Sequence, residues 1–356
     1  MAKRILFVED EMDFCRIFTQ HLQGLDDNVA TIYVDSFETK EGGGAVEDQF
    51  FEYVRVLERD GSFHGALVDF DLSMMHNGVS QTLVLAALRR LGIPVCRYSK
   101  KGAAAYSDRL RLLKRLMTEG PLAVPFNLDI NLADEPGRAA QWVLNLFASF
   151  AGLADAIARL SEGSEGPSSL LARALGEGDA EVDFAGYREA YPYYFADLIQ
   201  ADDAIDDAVR KRRQSTQVAY WFVNCILTFP GPILNPGATA AVFGFGKVTA
   251  LADARLQPVL VQCAYNGPFS SLNRYFWRQK LLASLDNPQV ADTVKAIYKE
   301  QGIDGDWRPL RYCLLNNRPM KSSEQASRPD WIPAGATESY VERGLYKRLN
   351  PWIPNK

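Results

Sequence analysis

The stretch ILFVEDE at residues 5–11 decides the fold. Its four consecutive apolar residues are typical of a short strand buried on both faces, and the sequence turns acidic directly where that strand ends. Such strands occur in parallel sheets that helices cover on both sides. The stretch therefore predicts the first strand of a parallel α/β sheet, with Glu9 and Asp10 at its carboxyl end.

Strand and helix patterns then alternate as far as residue 150. Strand-like apolar runs recur at residues 30–34, 66–69, 93–98 and 122–124. Apolar residues with helical spacing occur around them, at residues 12–22, 50–57, 83–91, 110–117 and 139–150. Because each pair of parallel strands needs a crossover helix, this order predicts an α/β domain with a five-stranded parallel sheet over residues 1–150.

A polar, helix-poor stretch follows this region. Residues 161–169 read SEGSEGPSS, and a chain of 356 residues is long enough for two domains. We therefore expect a helix end and flexible linker at residues 151–180 and a second domain at residues 181–356. Its helical runs, broken by proline and glycine, predict a mainly α (α+β) domain with short strands near residues 259–263 and 312–315.

The overall composition argues against several functional classes. With 39 basic and 44 acidic residues the net charge is −5, so no global charge attracts the chain to nucleic acid or to an anionic membrane. The five cysteines form no CxxC pair, which is typical of reduced, buried thiols rather than of a zinc ribbon. The N-terminal pattern is not that of a signal peptide, and the apolar run at residues 218–229 is too short to span a bilayer. We expect a cytoplasmic protein without a membrane partner.

Histidine is confined to the first quarter of the chain, at His21, His64 and His76. A site built wholly within the second domain would therefore use neither a Ser-His-Asp or Cys-His arrangement nor histidine-ligated metal.

Polar side chains stand where the predicted strands end. In an open parallel sheet the functional crevice lies beyond these carboxyl ends. The residues at these ends are Glu9, Asp10, Asp69, Asp71, Ser99 and Lys100. Converging carboxylates repel one another, and a hard divalent cation with oxygen ligands relieves the repulsion. We predict an Mg²⁺ site formed by Glu9, Asp10 and Asp69, in which Asp69 is placed to accept a phosphoryl group. The alternative is that Glu9 and Asp10 only cap the following helix.

This arrangement resembles the receiver domain of two-component response regulators over residues 3–150. The resemblance implies a flavodoxin-like fold and phosphorylation on Asp69, with Asp71 as the second choice. It also implies that Glu9 and Asp10 hold Mg²⁺ and that Ser99 contacts the phosphoryl group.

One departure from that family changes the functional expectation. The family has a Lys-Pro pair after the fifth strand, where this chain has Val124-Pro125. Valine can neither pair with a phosphoryl group nor transmit its arrival, and Lys100 is a neighbouring substitute for the missing charge. Two alternatives stay open: a receiver-like domain that serves docking or dimerisation without phosphorylation, and a working phosphorylated switch.

Two basic groups in the second part of the chain are candidates for contacts with anions or nucleic acid. They are Arg210, Lys211, Arg212 and Arg213 in the first group, and Arg274 and Arg278 in the second. The first group follows several aspartates, so a solvated helix face with acidic–basic pairs is the favoured interpretation. The second lies among aromatic residues, which suits base stacking but suits a helix with inward aromatics better.

We expect from these observations a regulatory or adaptor protein. Its receiver-like domain would bind a protein partner or a second copy, and its second domain would bind a partner or ligand. One alternative is a phosphorylatable response regulator that uses Asp69 and Mg²⁺ and has an unusual output domain, which could bind nucleic acid. The other is an enzyme with a histidine-free site in the second domain, which we favour less because no catalytic motif is evident.

Overall fold

The computed structural model forms two compact units that are not consecutive in the sequence. It describes residues 3–34, 37–40, 44–72, 79–99, 109–120, 124–128, 130, 134–160, 166–177, 180–188, 207–303, 306–321, 324 and 326–346. The first unit comprises Met1–Asp108, Leu122–Ser161 and Leu198–Tyr220, and the second comprises the remaining segments. The predicted linker at residues 151–180 stays a prediction; within it, residues 161–165 lie outside the described part of the chain.

The first unit contains the predicted five-stranded sheet. Its strands have the order β2-β1-β3-β4-β5, and all neighbouring strands are parallel. They are β1 (Lys3–Val8), β2 (Val29–Val34), β3 (Gly65–Asp69), β4 (Val95–Tyr98) and β5 (Phe126–Asn127). This order is that of a flavodoxin-like fold, and the predicted α/β fold class is confirmed.

The helices of the first unit cover the two faces of the sheet. They are α1 (Met12–Leu25), α2 (Val46–Leu57), α3 (Gln81–Arg90), α5 (Pro136–Ala158) and α8 (Asp207–Trp221), the last belonging to this unit as far as Tyr220. α1 contacts α5, and α2 contacts α3. Phe7 packs on Phe18 of α1, whereas Leu6 and Val8 share a core cluster with Phe50 of α2. The side chains of alternate residues of β1 therefore pack on opposite faces of the sheet, as the continuous apolar run predicted.

The fifth strand differs from its prediction. We expected it at residues 122–124, but residues 121–123 lie outside the described residues and the strand is Phe126–Asn127, beyond Pro125. Proline has no N–H for a strand ladder, so pairing begins only after it. The short strand pairs with Cys96 and Arg97 alone.

The helix α5 is long and apolar enough to cross a membrane by length and composition. Half of its most apolar window is buried inside the protein, including Val143, Phe147 and Phe150. These buried residues belong to the core of the protein.

The second unit is rich in helices and has a small mixed sheet, as predicted. Its helices are α4 (Arg109–Glu119), α6 (Pro167–Ala174), α7 (Glu181–Arg188), α9 (Pro236–Val242), α10 (Gln257–Gln262), α11 (Arg278–Leu285), α12 (Pro288–Glu300) and α13 (Arg343–Tyr346), with a π-helical segment at Phe222–Leu227. Its strands are β6 (Ile233–Leu234), β7 (Phe276–Trp277), β8 (Tyr312–Cys313), β9 (Arg318–Pro319), β10 (Ala326–Ser327) and β11 (Ser339–Glu342). β6 pairs with β7, and the other four form a sheet of order β10-β11-β8-β9.

One strand predicted in this unit is wrong. Residues 259–263 are not a strand, because α10 ends at Gln262 and Cys263 caps it. Leu256, Leu260 and Cys263 are buried while Val261 is 67% exposed, and that is helical rather than alternating burial. The strand predicted near residue 312 is present as β8.

Candidate functional site

The structure brings three carboxylates together at the carboxyl ends of β1 and β3. One carboxylate oxygen each of Glu9, Asp10 and Asp69 lies within 4.8 Å of the others. The strands pair in register, Val8 opposite Val68, so the residues that follow them are neighbours. Glu9 and Asp69 are buried and Asp10 is half-buried. The predicted convergence of these residues is therefore confirmed, whereas their role as metal ligands stays a prediction.

Hydrogen bonds fix the Glu9 carboxylate. The backbone N–H of Glu11 donates to Oε1 at 2.9 Å, and the Tyr98 hydroxyl donates to Oε2 at 2.5 Å. Burial, and then the negative charge of Glu9, raise the pKa of Tyr98 well above the ordinary value of a tyrosine. Tyr98 thus stays a neutral donor at physiological pH. Sequence reasoning missed this residue, although the pairing of β3 with β4 places it beside Asp69.

The other residues predicted at the strand ends differ in how deeply they are buried. Ser99 is half-buried directly after β4, and Asp71 is exposed. Lys100 lies outside the described residues. Val124 is fully buried, but it precedes β5 and does not stand at the carboxyl end of that strand, where the sequence pattern had placed it.

A buried arginine lies on the opposite face of β4 from Tyr98. The Arg97 guanidinium donates to Asn127 Oδ1 at 3.0 and 3.2 Å and to Gln81 Oε1 at 3.2 Å, and it stacks over Phe70 at 4.4 Å. Gln81 in turn donates to the backbone oxygen of Asp69 at 3.0 Å. This network ties the ends of β3, β4 and β5 to the start of α3. No sequence pattern indicates this network, because Arg97 lies within a run that predicts only a buried strand.

The helix α8 docks beside the start of β4 through Tyr220. The hydroxyl of Tyr220 accepts a hydrogen bond from Val95 N at 2.7 Å and donates to Val95 O at 3.3 Å. Its ring stacks on Phe126 and meets Phe150 edge-on, with centroid distances of 5.6 and 5.4 Å. Burial raises the pKa of Tyr220 far above its usual range, so the hydroxyl keeps its proton.

Two further polar side chains of α8 bind the same surface. Thr216 Oγ1 donates to Gly92 O at 2.8 Å, and Arg212 Nε donates to Leu91 O at 2.7 Å. The remaining nitrogens of Arg212 form a bidentate pair with Glu58 at 2.7 and 2.9 Å. We call the surface formed by Glu58, Leu91, Gly92 and Val95 the helix seat.

The basic group at the start of α8 is therefore divided. Arg210 and Lys211 are exposed, and Arg210 pairs with Asp207 at 2.9 Å. Asp206, one of the aspartates that precede this group, lies outside the described residues. A solvated face describes these two residues but is wrong for Arg212, whose guanidinium binds Glu58 in the helix seat.

The aromatic residues beside the second basic group are buried as favoured, but the helix expected there is wrong, because Phe276 and Trp277 form the strand β7. Phe276 and Trp277 are buried, so neither ring is available to stack on bases. Arg278 pairs with Glu338 at 2.6 Å, and Arg274 lies over the Phe276 ring at 5.2 Å. A phosphate contact by either arginine stays a prediction.

No family model matches the chain, and no curated protein or solved structure shows significant similarity to it.

Proposed function

We propose that the protein is a cytoplasmic regulatory or adaptor protein whose first unit is an atypical receiver-like domain used for docking. The observation that carries this proposal is the helix seat, where three side chains of α8 bond to Glu58 and to the backbone at residues 91–95. In this proposal the second unit binds a partner or ligand, and docking needs no phosphoryl group.

The burial of Val124 supports independence from phosphorylation. A phosphoryl group on Asp69 would bring about two negative charges into a site that already holds two other carboxylates. Val124 is fully buried and apolar, so it cannot offset that charge.

Incubation of the full chain with a small-molecule phosphodonor and Mg²⁺, followed by intact-mass measurement, tests the proposal. We expect no phosphoryl adduct on the unaltered chain. The variants Asp69→Ala and Asp71→Ala serve as controls that locate any adduct. An adduct that Asp69→Ala alone abolishes would contradict the proposal.

The second candidate function is a phosphorylatable response regulator, and the acidic cluster favours it. Carboxylate oxygens are the ligands that Mg²⁺ takes, so Glu9, Asp10 and Asp69 suit this ion by donor type. When bound, Mg²⁺ would neutralise charge beside Asp69. A thermal shift with Mg²⁺ that is lost in Asp69→Asn would support this candidate, and equal melting temperatures with and without Mg²⁺ would count against it.

Nucleic-acid binding by the second part of the chain is a variant of both candidates. The exposed Arg210 and Lys211 are the residues to test. A salt-dependent DNA shift that Arg210→Glu with Lys211→Glu abolishes would support it.

A further inference from the structure

The residues of α8 that bind the helix seat have regular spacing. Arg212, Thr216 and Tyr220 stand four residues apart, and residues with this spacing share one face of a helix. Their backbone partners occur in the same order, at Leu91, Gly92 and Val95. The helix and the segment from Leu91 to Val95 therefore run in the same direction.

Val95 pairs with Ala66 of β3 on one side, and its own N–H and C=O bond to Tyr220 on the other. The described part of β5 pairs with β4 only at Cys96 and Arg97, so Val95 lies just before the paired region. Tyr220 binds both the N–H and the C=O of Val95, as a neighbouring strand would. Leu91 and Gly92 follow the end of α3, where helix carbonyls need partners outside the helix.

Two features make the seat selective. Gly92 has a φ of +69°, and a Cβ at this position would lie 2.6 Å from the Cα and N of Arg213. The backbone of α8 therefore approaches the loop too closely for any other residue. Glu58 binds Arg212 through two parallel hydrogen bonds, a geometry that lysine cannot reproduce.

We infer that the helix seat is a recognition site for helices with the pattern Arg-x3-Thr-x3-Tyr, and that α8 is its occupant within the same chain. This inference rests on the proposed docking function and names the chemistry of the docked partner. A partner helix with the same pattern would compete with α8 for Glu58, Gly92 and Val95.

The test uses the full-length chain and synthetic peptides of residues 207–221. The variant Arg212→Glu weakens the binding of α8 to the helix seat, because the new carboxylate would lie beside that of Glu58. Arg210→Glu, on the exposed face of α8, is the matched control. One peptide has the natural sequence. The other exchanges Thr216 with Gln217 and Ala219 with Tyr220, which keeps the composition but breaks the spacing.

We expect the natural peptide to bind the Arg212→Glu chain at least tenfold more tightly than it binds the Arg210→Glu chain or the unaltered chain. The exchanged peptide should bind the Arg212→Glu chain at least tenfold more weakly than the natural one. Equal binding of the two peptides, or no binding of either to a folded Arg212→Glu chain, would overturn the inference.

A charge exchange gives a second measurement that does not depend on the peptide. Glu58→Arg and Arg212→Glu should each increase hydrogen exchange at residues 91–95, and the double variant should restore at least half of the lost protection. No recovery in the double variant would overturn the pairing on which recognition depends. Both measurements are made without a phosphodonor, so an adduct on Asp69 in the mass measurement would contradict the proposed function alone, and the two failures are distinguishable.

Discussion

Among single residues, Gly92 is a position in the helix seat where a larger side chain does not fit. Its φ of +69° lies in the left-handed region, and an added Cβ would meet the backbone of Arg213. Gly176 is a matched control, because its φ is +70° and a Cβ there would meet nothing within 4 Å.

We predict that Gly92→Ala lowers the free energy of unfolding more than Gly176→Ala does. The left-handed backbone alone costs an alanine about 1–2 kcal/mol at either position. The clash with Arg213 should add about 1–3 kcal/mol at residue 92 alone. Chemical denaturation of both variants measures the difference. Equal losses would mean that α8 does not press against this loop.

Tyr98 makes the free energy of unfolding depend on pH in the alkaline range. Burial and the nearby Glu9 raise the pKa of Tyr98 in the folded protein above its ordinary value of 10.0. Above pH 10.0 the unfolded chain releases this proton while the folded chain keeps it, so stability falls as the pH rises.

Tyr98→Phe should therefore lose less stability than the unaltered chain between neutral pH and pH values above 10.0. The expected difference in slope is about 1.4 kcal/mol per pH unit. Urea denaturation at several alkaline pH values measures it, with Tyr33→Phe as a half-buried comparison. Parallel slopes for Tyr98→Phe and the unaltered chain would contradict the described environment of Tyr98.

At the scale of elements, the sequence was sufficient for the parts of the fold that depend on local patterns. Continuous apolar runs predicted β1, β3 and β4, and the acidic residues after β1 and β3 predicted the convergence of Glu9, Asp10 and Asp69. Parallel neighbours end at the same edge of a sheet, so this part of the site follows from the strand positions alone.

The rest of the site depends on contacts between distant residues. Tyr220 and Val95 are 125 positions apart, and no periodic pattern links them. The same holds for Arg212 and Glu58, which are 154 positions apart. The alternation of charge before α8 predicted a solvated helix, because sequence alone does not show which face of a polar helix meets another element.

The two hydrogen bonds of the Tyr220 hydroxyl connect α8 to the backbone of Val95 in β4. Tyr220→Phe keeps the ring stacked on Phe126 but removes both hydrogen bonds to Val95. We expect a loss of about 1–2 kcal/mol. The amide of Val95 should exchange about tenfold faster, since 1.4 kcal/mol corresponds to a factor of ten.

Hydrogen exchange with mass or NMR detection measures this effect. Tyr187→Phe is the control, because its hydroxyl is also buried but donates to Phe229 O in the second unit. That variant should leave the Val95 amide unchanged. Faster exchange at Val95 in both variants would indicate general destabilisation instead of the loss of a local contact.

At the scale of the whole molecule, the compact units do not follow the order of the chain. The first unit recruits Leu198–Tyr220 from the second half of the sequence, and the second unit includes Arg109–Pro121 from the first half. The sequence predicts consecutive domains, because a polar linker can be recognised from its composition. The packing of a helix against a distant part of the chain leaves no such pattern in the sequence. The first unit is therefore incomplete without α8, in line with the proposed docking role.

According to the proposed function, the first unit binds α8 without any phosphoryl signal. Hydrogen exchange of the full chain, with and without a phosphodonor and Mg²⁺, tests it most directly. We expect the same protection of residues 91–95 and of α8 in both conditions. A loss of that protection in the presence of the phosphodonor, abolished by Asp69→Ala, would contradict the claim and identify the protein as a phosphorylated switch.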